Sequence, residues 1–256
     1  MGATISDIRL LLRIKKLPLC SEPRHVFIAG GTGYMGSQLI PALLERGHHV
    51  RALVRPGSKG HVPAGCEVVS GNPLDASTYR QFVRPANTFV HLVGVPRPSP
   101  SKAAEFRAID LVSAQQAITL AAELAVDHFI YLSVAHPAPM MKDYIAVRAE
   151  CESMIRERKL RATILRPWYV LGPGHRWPYM LLPMYKIFEL LPFTREGARR
   201  LGLVTLEQMI LALVFAVETP PPAGVESAKQ IRVIDVPAIR SARANLETLA
   251  APARSS

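Results

Sequence analysis

The sequence predicts an α/β fold in which helices cover both faces of a doubly wound parallel sheet, with a small C-terminal lobe. Three observations predict it. An apolar strand runs directly into closely spaced glycines at residues 25–36. Short apolar runs alternate with stretches of helical periodicity as far as residue 166, a pattern typical of parallel βαβ units. From Pro167 onward the chain is richer in proline and aromatic residues, which indicates a smaller lobe and not an independent domain.

The strands and helices follow one another in a regular order. The first strand leads through the glycines into a helix at 34–46, which Gly47 ends because glycine tolerates left-handed dihedrals. Pro41 lies inside this helix and is expected to kink it. The remaining strands are predicted at 50–54, from 67 onward, and at 88–95, 129–134 and 162–165, with the longer helices at 103–124 and 143–158.

These elements divide the chain into four segments. Residues 1–24 form an N-terminal extension, 25–166 the doubly wound domain, 167–240 the smaller lobe, and the alanine-rich residues 241–256 a disordered tail. Within the extension, residues 5–16 are apolar and basic but lack the long uncharged core and cleavage site of a signal peptide, so export is not expected. A loosely docked extension is favoured over an amphipathic helix on a membrane surface.

The composition excludes several classes of protein. The chain has 256 residues, 49% of them hydrophobic, which excludes disorder throughout. The formal net charge is +11, yet the arginines and lysines are scattered and no zinc-finger or RNA-binding signature accompanies them, which argues against a nucleic-acid partner. The three cysteines lack metal-site or disulfide spacing, and no apolar run reaches the roughly 18 residues that cross a bilayer. A cytoplasmic location is expected.

The glycines after the first strand predict a dinucleotide-binding turn of the Rossmann type. Gly30, Gly33 and Gly36 fit the pattern Gly-x-x-Gly-x-x-Gly, and Gly31 with the last two fits Gly-x-Gly-x-x-Gly. Missing side chains let backbone amides approach a pyrophosphate, and the following helix offers free N–H groups and its positive dipole end. A tight turn without a ligand is the alternative. The candidate phosphate-binding residues are Gly30, Thr32, Gly33, Tyr34, Met35 and Gly36.

The end of the second strand bears on the choice between NADP(H) and NAD(H). An acidic residue there would bind the ribose 2′-hydroxyl and repel a 2′-phosphate. This chain has Arg55 at that point, Arg51 and Lys59 nearby, and no Asp or Glu between Gly47 and Gly65. Because a guanidinium pairs bidentately with phosphate, the sequence favours NADP(H) over NAD(H). The alternative is a solvated basic loop.

Further segments along residues 26–236 carry a resemblance to a known family. Together with the glycine turn, they resemble the extended and atypical short-chain dehydrogenase/reductases, a family that includes epimerases, dehydratases and NmrA-like NAD(P)H-binding proteins. The segments are Val-Arg-Ala-Leu-Val-Arg at 50–55, Gly-Asn-Pro-Leu-Asp at 71–75, Val-His-Leu-Val-Gly at 90–94, Phe-Ile-Tyr-Leu-Ser at 129–133, Tyr144 with Arg148, and Ile-Leu-Arg-Pro at 164–167.

The resemblance implies which other residues line the cofactor. Asn72 matches a position next to the adenine, where the family often has Asp; an asparagine keeps an acceptor and adds a donor. Val93 and Gly94 in the fourth strand match positions beside the cofactor, with plain core as the alternative for Val93, and the segment after the sixth strand matches one that borders the nicotinamide. His91 is expected to be a satisfied strand histidine and not a catalyst. The candidate residues are Asn72, Pro73, Leu74, Val93, Gly94, Pro167 and Val170.

The resemblance also implies a catalytic group. Family enzymes use a Ser or Thr, a Tyr, and a Lys four residues after the Tyr; Ser133 and Tyr144 match the first two, while Arg148 replaces the lysine. Tyr144 and position 148 lie on one helix face. Arginine keeps the positive charge but is larger and planar, so the replacement is not conservative. Asp110 stands at the closest position to an asparagine that the family often carries. The alternative is that Ser133 ends a core strand and Tyr144 lines a pocket wall.

These observations lead to two hypotheses about function. The first is an NADP(H)-dependent oxidoreductase, or an enzyme of the epimerase/dehydratase type, acting on a small carbonyl or hydroxyl substrate. The second is a non-catalytic NADP(H)-binding regulatory or assembly protein, which the departures at Arg148 and Asp110 favour. Residues 177–193 are interpreted as a pocket lid near the aromatic patch of Trp168, Tyr169, His175, Trp177 and Tyr179, with a membrane-surface or partner contact as the alternative. The sequence predicts no oligomeric state.

Overall fold

The computed structural model describes residues 12, 14, 17, 22–58, 62–138, 140–172, 202–224 and 230–249. Seven parallel strands form one sheet in the order β3-β2-β1-β4-β5-β6-β9. This confirms the predicted doubly wound parallel sheet. The strands are β1 (His25–Ala29), β2 (His49–Val54), β3 (Glu67–Ser70), β4 (Thr88–His91), β5 (His128–Leu132), β6 (Ala162–Leu165) and β9 (Ile231–Ile234), while β7 (Tyr169–Leu171) and β8 (Leu203–Thr205) pair separately and in parallel.

Helices connect the strands and cover both faces of the sheet. One helix begins with a short α-helical turn, Ala103–Glu105, and continues through a π-helical segment, Phe106–Leu111. It resumes as an α-helix at Val112. Thr205 and Gln208 form a reciprocal capping box that fixes where the helix Leu206–Glu218 begins. The helices are α1 (Gly36–Glu45), α2 (Arg80–Val83), α3 (Ala103–Glu105), α4 (Val112–Glu123), α5 (Lys142–Glu157), α6 (Leu206–Glu218) and α7 (Val236–Leu249).

Two apolar clusters lie on opposite faces of the sheet. Val26 and Ile28 point into the cluster beneath α1, α6 and α7, whereas Phe27 and Ala29 point into the cluster beneath α4 and α5. Successive side chains of a strand point to opposite faces. A sheet that is covered on both faces therefore needs continuous apolar strands, which is why the strands read as apolar runs in the sequence.

The C-terminal third differs from the prediction. The strand β9 pairs with β6 as the seventh strand of the main sheet, and α6 and α7 cover the face that α1 also covers. The described residues 203–224 and 230–249 therefore add to the main fold instead of forming only a small lobe. The predicted disordered tail is also wrong for 241–249, which continue α7 and bury Ala242 and Leu246, because these apolar residues recur at helical spacing.

Two other predictions change in detail. The fourth strand ends at His91, and 92–95 continue as a loop. In the N-terminal extension, Ile14 and Leu17 are buried in the cluster beneath α1 and α6, so these two side chains are docked firmly and not loosely. Gly47 has φ +82°, which confirms its predicted role at the end of α1. In the described part of the chain, no helix combines the length and apolar character needed to cross a membrane.

Candidate functional site

The predicted site residues follow the carboxyl ends of the strands. Since all seven strands are parallel, these ends lie along one edge of the sheet. The strand order reverses between β1 and β4, and ligands of such sheets bind in the crevice outside this point. Arg55 and Asn72 follow β2 and β3 on one side of the crevice. Gly94, Ser133 and Pro167 follow β4, β5 and β6 on the other side.

The glycine turn lies at the centre of this edge. Gly30 has φ +91°, and a Cβ there would lie 2.9 Å from the carbonyl carbon of Leu92 and 3.0 Å from the nitrogen of Val93. A Cβ on Gly36 would lie 2.6 Å from the Cα of Gly31 and would also meet the Gly30 carbonyl oxygen. Gly33 is exposed, with only that carbonyl within reach, at 3.2 Å. The turn is therefore a close-packed cradle of bare backbone, which fits a pyrophosphate at the start of α1.

The other residues of the turn connect it to its surroundings. Met35 packs against the core beneath α1, and Thr32 is half-buried. Tyr34 is exposed, and its hydroxyl lies so close to Gly172 that any side chain at position 172 would collide with it. The glycine turn thus contacts the chain just beyond β7. The predicted lid at 177–193, with His175, Trp177 and Tyr179, lies outside the described residues.

On the adenosine side, Arg55 is exposed directly after β2. Arg51 does not help it, because its guanidinium binds Glu67 at 2.6 Å and the Phe82 carbonyl at 3.1 Å. This corrects the prediction that Arg51 adds to a phosphate site; Lys59 lies outside the described residues. The side-chain oxygen of Asn72 accepts from the N–H of Leu74 at 3.1 Å, so it shapes the turn after β3. Pro73, between these two residues, is buried.

On the other side of the crevice, Gly94 lies directly over a buried ion pair. The Arg148 guanidinium donates to Asp110 Oδ1 at 2.5 Å, and both side chains are nearly inaccessible. Arg148 also donates to the Leu132 carbonyl at 2.9 Å and to the Tyr131 hydroxyl at 3.2 Å. Burial would lower the pKa of Arg148, but Tyr131, Tyr144 and Asp110 raise it well above its usual value, so the guanidinium stays charged.

Tyr144, near the start of α5, contacts two side chains. Its ring centroid lies 5.0 Å from that of Phe106, and the guanidinium carbon of Arg148 lies 5.0 Å from the ring. This cation–π contact brings the predicted Tyr144 and Arg148 together. The Tyr144 hydroxyl makes no hydrogen bond within the described part of the chain, although the ring is half-buried. The ring is therefore held by Phe106 and Arg148.

Ser133 is not brought together with Tyr144. Its hydroxyl donates to Glu152 Oε1 at 2.7 Å, and Glu152 follows Tyr144 by eight residues on α5, about 12 Å along the helix axis. Ser133 is 3% exposed, and its backbone N–H donates to the Leu165 carbonyl at 2.8 Å. The serine therefore connects the end of β5 to a buried carboxylate.

The ends of the remaining strands are packed against one another. The Pro167 carbonyl accepts from the N–H of Ala135 at 2.9 Å, which fixes the loop after β6 beside the loop after β5. Val170 lies in β7, opposite Val204 of β8, and packs against the core. Val93 packs against the core beneath α4 and α5. Burial and the nearby Arg148 lower the pKa of His91 to about 3, so the ring is neutral. Its Nε2 lies 3.4 Å from the Ser113 hydroxyl, but its buried Nδ1 has no partner among the described residues, so the predicted satisfied histidine is satisfied at one nitrogen only.

A family model described as NAD(P)H-binding matches residues 30–176, more than half of the chain. The chain belongs to this NAD(P)H-binding family. Together with the similar proteins described next, this match confirms the resemblance to extended and atypical short-chain dehydrogenase/reductases. The glycine cradle at the centre of the edge is the part of this chain that fits a nicotinamide dinucleotide. No group of His, Cys, Asp and Glu suited to a metal ion occurs among the described residues.

Known proteins similar to this NAD(P)H-binding chain include reductases and epimerases. It is 26% identical over 203 residues to a ceramide reductase of Caulobacter vibrioides, covering 78% of this chain but only 63% of that relative's length. It is 24% identical over 234 residues to the chloroplastic epimerase family protein SDR39U1 homolog of Arabidopsis thaliana, covering 81% and 67% of the two chains. The Bordetella bronchiseptica enzyme WbmH, solved with NAD+, has a TM-score of 0.61 at 22% identity, covering 92% and 85%, which shows the shared fold.

Sequence reasoning missed the buried polar cluster around Glu152. Arg166 binds both oxygens of this carboxylate, with Nε at 2.9 Å from Oε1, and His136 Nε2 lies 3.3 Å from the same oxygen. The spacing from Tyr144 to Arg148 to Glu152 repeats every four residues, which places all three toward one side of α5. This four-residue spacing is the sequence signal that could have indicated the cluster around Glu152. The identity of the partners depends on contacts between β5, β6 and α5.

Acid is expected to weaken the fold partly through Glu152. Burial alone would raise the pKa of Glu152, but hydrogen bonds from Arg166 and Ser133 and the charges of Arg166 and His136 lower it below its usual value. A carboxyl whose pKa is lower when folded stabilises the protein above its unfolded pKa of about 4.3, and this contribution is lost as the pH falls below that value.

The urea midpoint should therefore drop between about pH 6 and about pH 3.5, and less steeply in Glu152→Gln. That variant should also lose roughly 2 kcal/mol at neutral pH, because hydrogen bonds to a charged group are removed. Glu67→Gln is the matched control, since Glu67 is exposed and its ion pair contributes little. Equal pH slopes for Glu152→Gln and the wild type would contradict the role of Glu152.

Proposed function

We propose that this protein is an NADP(H)-dependent oxidoreductase, or an enzyme of the related epimerase/dehydratase type, that acts on a small carbonyl or hydroxyl substrate. The observation that carries the proposal is Tyr144. Its ring is held between Phe106 and Arg148 beside the carboxyl edge of the sheet, while its hydroxyl makes no hydrogen bond in the described part of the chain. A proton donor must be oriented and must have its hydroxyl available to the substrate.

In the proposed mechanism, each part of the edge has one task. The backbone of the glycine turn and the start of α1 bind the pyrophosphate. A bound nicotinamide supplies or accepts the hydride. Tyr144 donates a proton to the substrate carbonyl oxygen, or accepts one from a hydroxyl in the reverse direction. The guanidinium of Arg148, 5.0 Å from the ring, favours the negative charge that develops on the phenolate, although Asp110 offsets part of its field.

The names of the relatives support a redox reaction on a carbonyl or hydroxyl carbon. One is a ceramide reductase, another a 4-hydroxy-2-methyl-3-oxo-4-farnesyl-3,4-dihydroquinoline-1-oxide ketoreductase of Stigmatella aurantiaca. The proposal is tested by following NADPH oxidation with a panel of aldehydes and ketones. Substrate-dependent oxidation by the purified protein is the expected result. Tight NADPH binding with no oxidation across the panel would count against catalysis.

The preference for NADP(H) is expected to depend on Arg55. This side chain is exposed at the end of β2, where a ribose 2′-phosphate would lie. A charge-assisted hydrogen bond contributes about 1.5–3 kcal/mol, so Arg55→Gln should raise the NADPH dissociation constant by roughly tenfold or more and leave that of NADH nearly unchanged.

Fluorescence titration with both cofactors measures this effect. Arg51→Gln in β2 is the matched control, because Arg51 binds Glu67 and should not affect either cofactor. NADH that binds the wild type as tightly as NADPH does would refute the preference for NADP(H).

A non-catalytic NADP(H)-binding protein is the second candidate function. Two contacts favour it: the charge of Arg148 is paired with Asp110, and the Ser133 hydroxyl is paired with Glu152. Neither group is then directed at a substrate. Single-turnover transfer of deuteride from labelled NADPH to an added carbonyl would rule this candidate out.

A further inference from the structure

We propose that Asp110 is a positioning residue: with Arg148 it fixes Gly94 and Val95, in the loop after β4, as the wall against which the nicotinamide half of the cofactor lies. The proposal concerns cofactor binding and rests on the proposed cofactor site, not on turnover. Asp110 is fully buried in the π-helical segment Phe106–Leu111, so it does not contact the cofactor itself. It acts through the backbone above it.

Asp110 joins three parts of the fold. Its Oδ2 accepts from the N–H of Val95 at 2.9 Å, and its Oδ1 accepts from Arg148 at 2.5 Å. The same guanidinium donates to the Leu132 carbonyl, 2.9 Å away at the end of β5. The carboxylate and the guanidinium therefore tie together the loop after β4, the end of β5 and α5. Charge-assisted hydrogen bonds of this kind are short and directional.

Gly94 separates this ion pair from the crevice by a single layer of backbone. The residue is exposed, whereas Asp110 and Arg148 beneath it are buried. A Cβ on Gly94 would lie 2.6 Å from Arg148 Nη2 and 3.1 Å from Asp110 Oδ1. The wall can therefore take this position only because position 94 has no side chain. Any displacement of the pair is passed directly to the surface that faces the cofactor.

The position of the wall decides which half of the cofactor is affected. With the pyrophosphate at the glycine turn, one nucleoside extends toward Arg55 and Asn72 and the other toward Gly94 and Tyr144. A residue that fixes the position of the loop after β4 should therefore affect only the nicotinamide half of the cofactor. The π-helical segment that presents Asp110 is a local widening of the helix, a feature frequently found at functional sites.

The test compares NADPH with 2′-phospho-ADP-ribose, which is the cofactor without its nicotinamide. Asp110→Asn removes the charge that holds Arg148 and should weaken NADPH binding by about tenfold, because a misplaced wall costs contacts, while binding of 2′-phospho-ADP-ribose stays within about twofold. Calorimetric titration of folded protein measures both. Glu218→Gln is the matched control, since it breaks the buried ion pair with Arg46 elsewhere in the fold.

Equal weakening of both ligands, or unchanged NADPH binding in Asp110→Asn, would overturn the proposal. If Asp110→Asn does not fold, Gly94→Ala serves instead, because its Cβ presses on Arg148, and the same selective loss is expected. Failure of the wild type to bind NADPH would refute the proposed function itself, which is a different result from a loss of selectivity.

Discussion

Replacing Tyr144 with Phe should lower kcat by about 10²–10⁴-fold and leave the affinity for NADPH close to that of the wild type. The change removes only the hydroxyl, which is the proposed proton donor. The ring contacts with Phe106 and Arg148 remain, so the fold and the wall of the crevice should not change. Steady-state oxidation of NADPH with the best carbonyl of the panel measures kcat, and fluorescence titration measures the affinity.

Tyr79→Phe is the matched control for this prediction. Tyr79 is fully buried, and its hydroxyl has no hydrogen-bond partner among the described residues, so the same atom is removed from a tyrosine away from the proposed chemistry. This variant should keep the wild-type kcat and be at least as stable, because an unsatisfied buried hydroxyl is lost. Full activity of Tyr144→Phe would remove Tyr144 from the mechanism.

A methyl group at Gly36 should abolish tight cofactor binding. The added Cβ of Gly36→Ala would lie 2.6 Å from the Cα of Gly31 and against the Gly30 carbonyl, and neither backbone group can move without moving the turn. Overpacking of this kind costs about 1–3 kcal/mol, so the melting temperature should fall, and the distorted turn should raise the NADPH dissociation constant by roughly 10–100-fold.

Gly33→Ala separates the loss of stability from the loss of cofactor binding. Gly33 is exposed, and its Cβ would meet only the Gly30 carbonyl, at 3.2 Å. The stability of the free protein should therefore be nearly unchanged, whereas cofactor binding should weaken because the methyl group lies where the pyrophosphate approaches. Thermal unfolding with and without NADPH distinguishes the variants. A Gly36→Ala protein that binds NADPH normally would contradict the proposed cradle.

The site shows where sequence reasoning reaches its limit. The spacing of Tyr144 and Arg148 correctly predicted that the two side chains meet, because positions four residues apart share a helix face. The prediction that Ser133 acts with Tyr144 remains untested in function, but the geometry gives Ser133 another partner, Glu152. Arg51 is likewise engaged by Glu67 from a neighbouring strand. Each of these partners lies at least 16 residues away in the chain.

The sequence by itself determined the parallel sheet, the glycine turn and the membership of an NAD(P)H-binding family. These depend on local patterns: apolar runs, helical periodicity, and glycines where backbone must pass close to backbone. Only the tertiary structure decided that β9 completes the sheet, that 241–249 are helical, and that Asp110 and Arg148 form a buried pair under Gly94. The physical reason is that burial and charge pairing depend on side chains from different elements, whose approach no local pattern records.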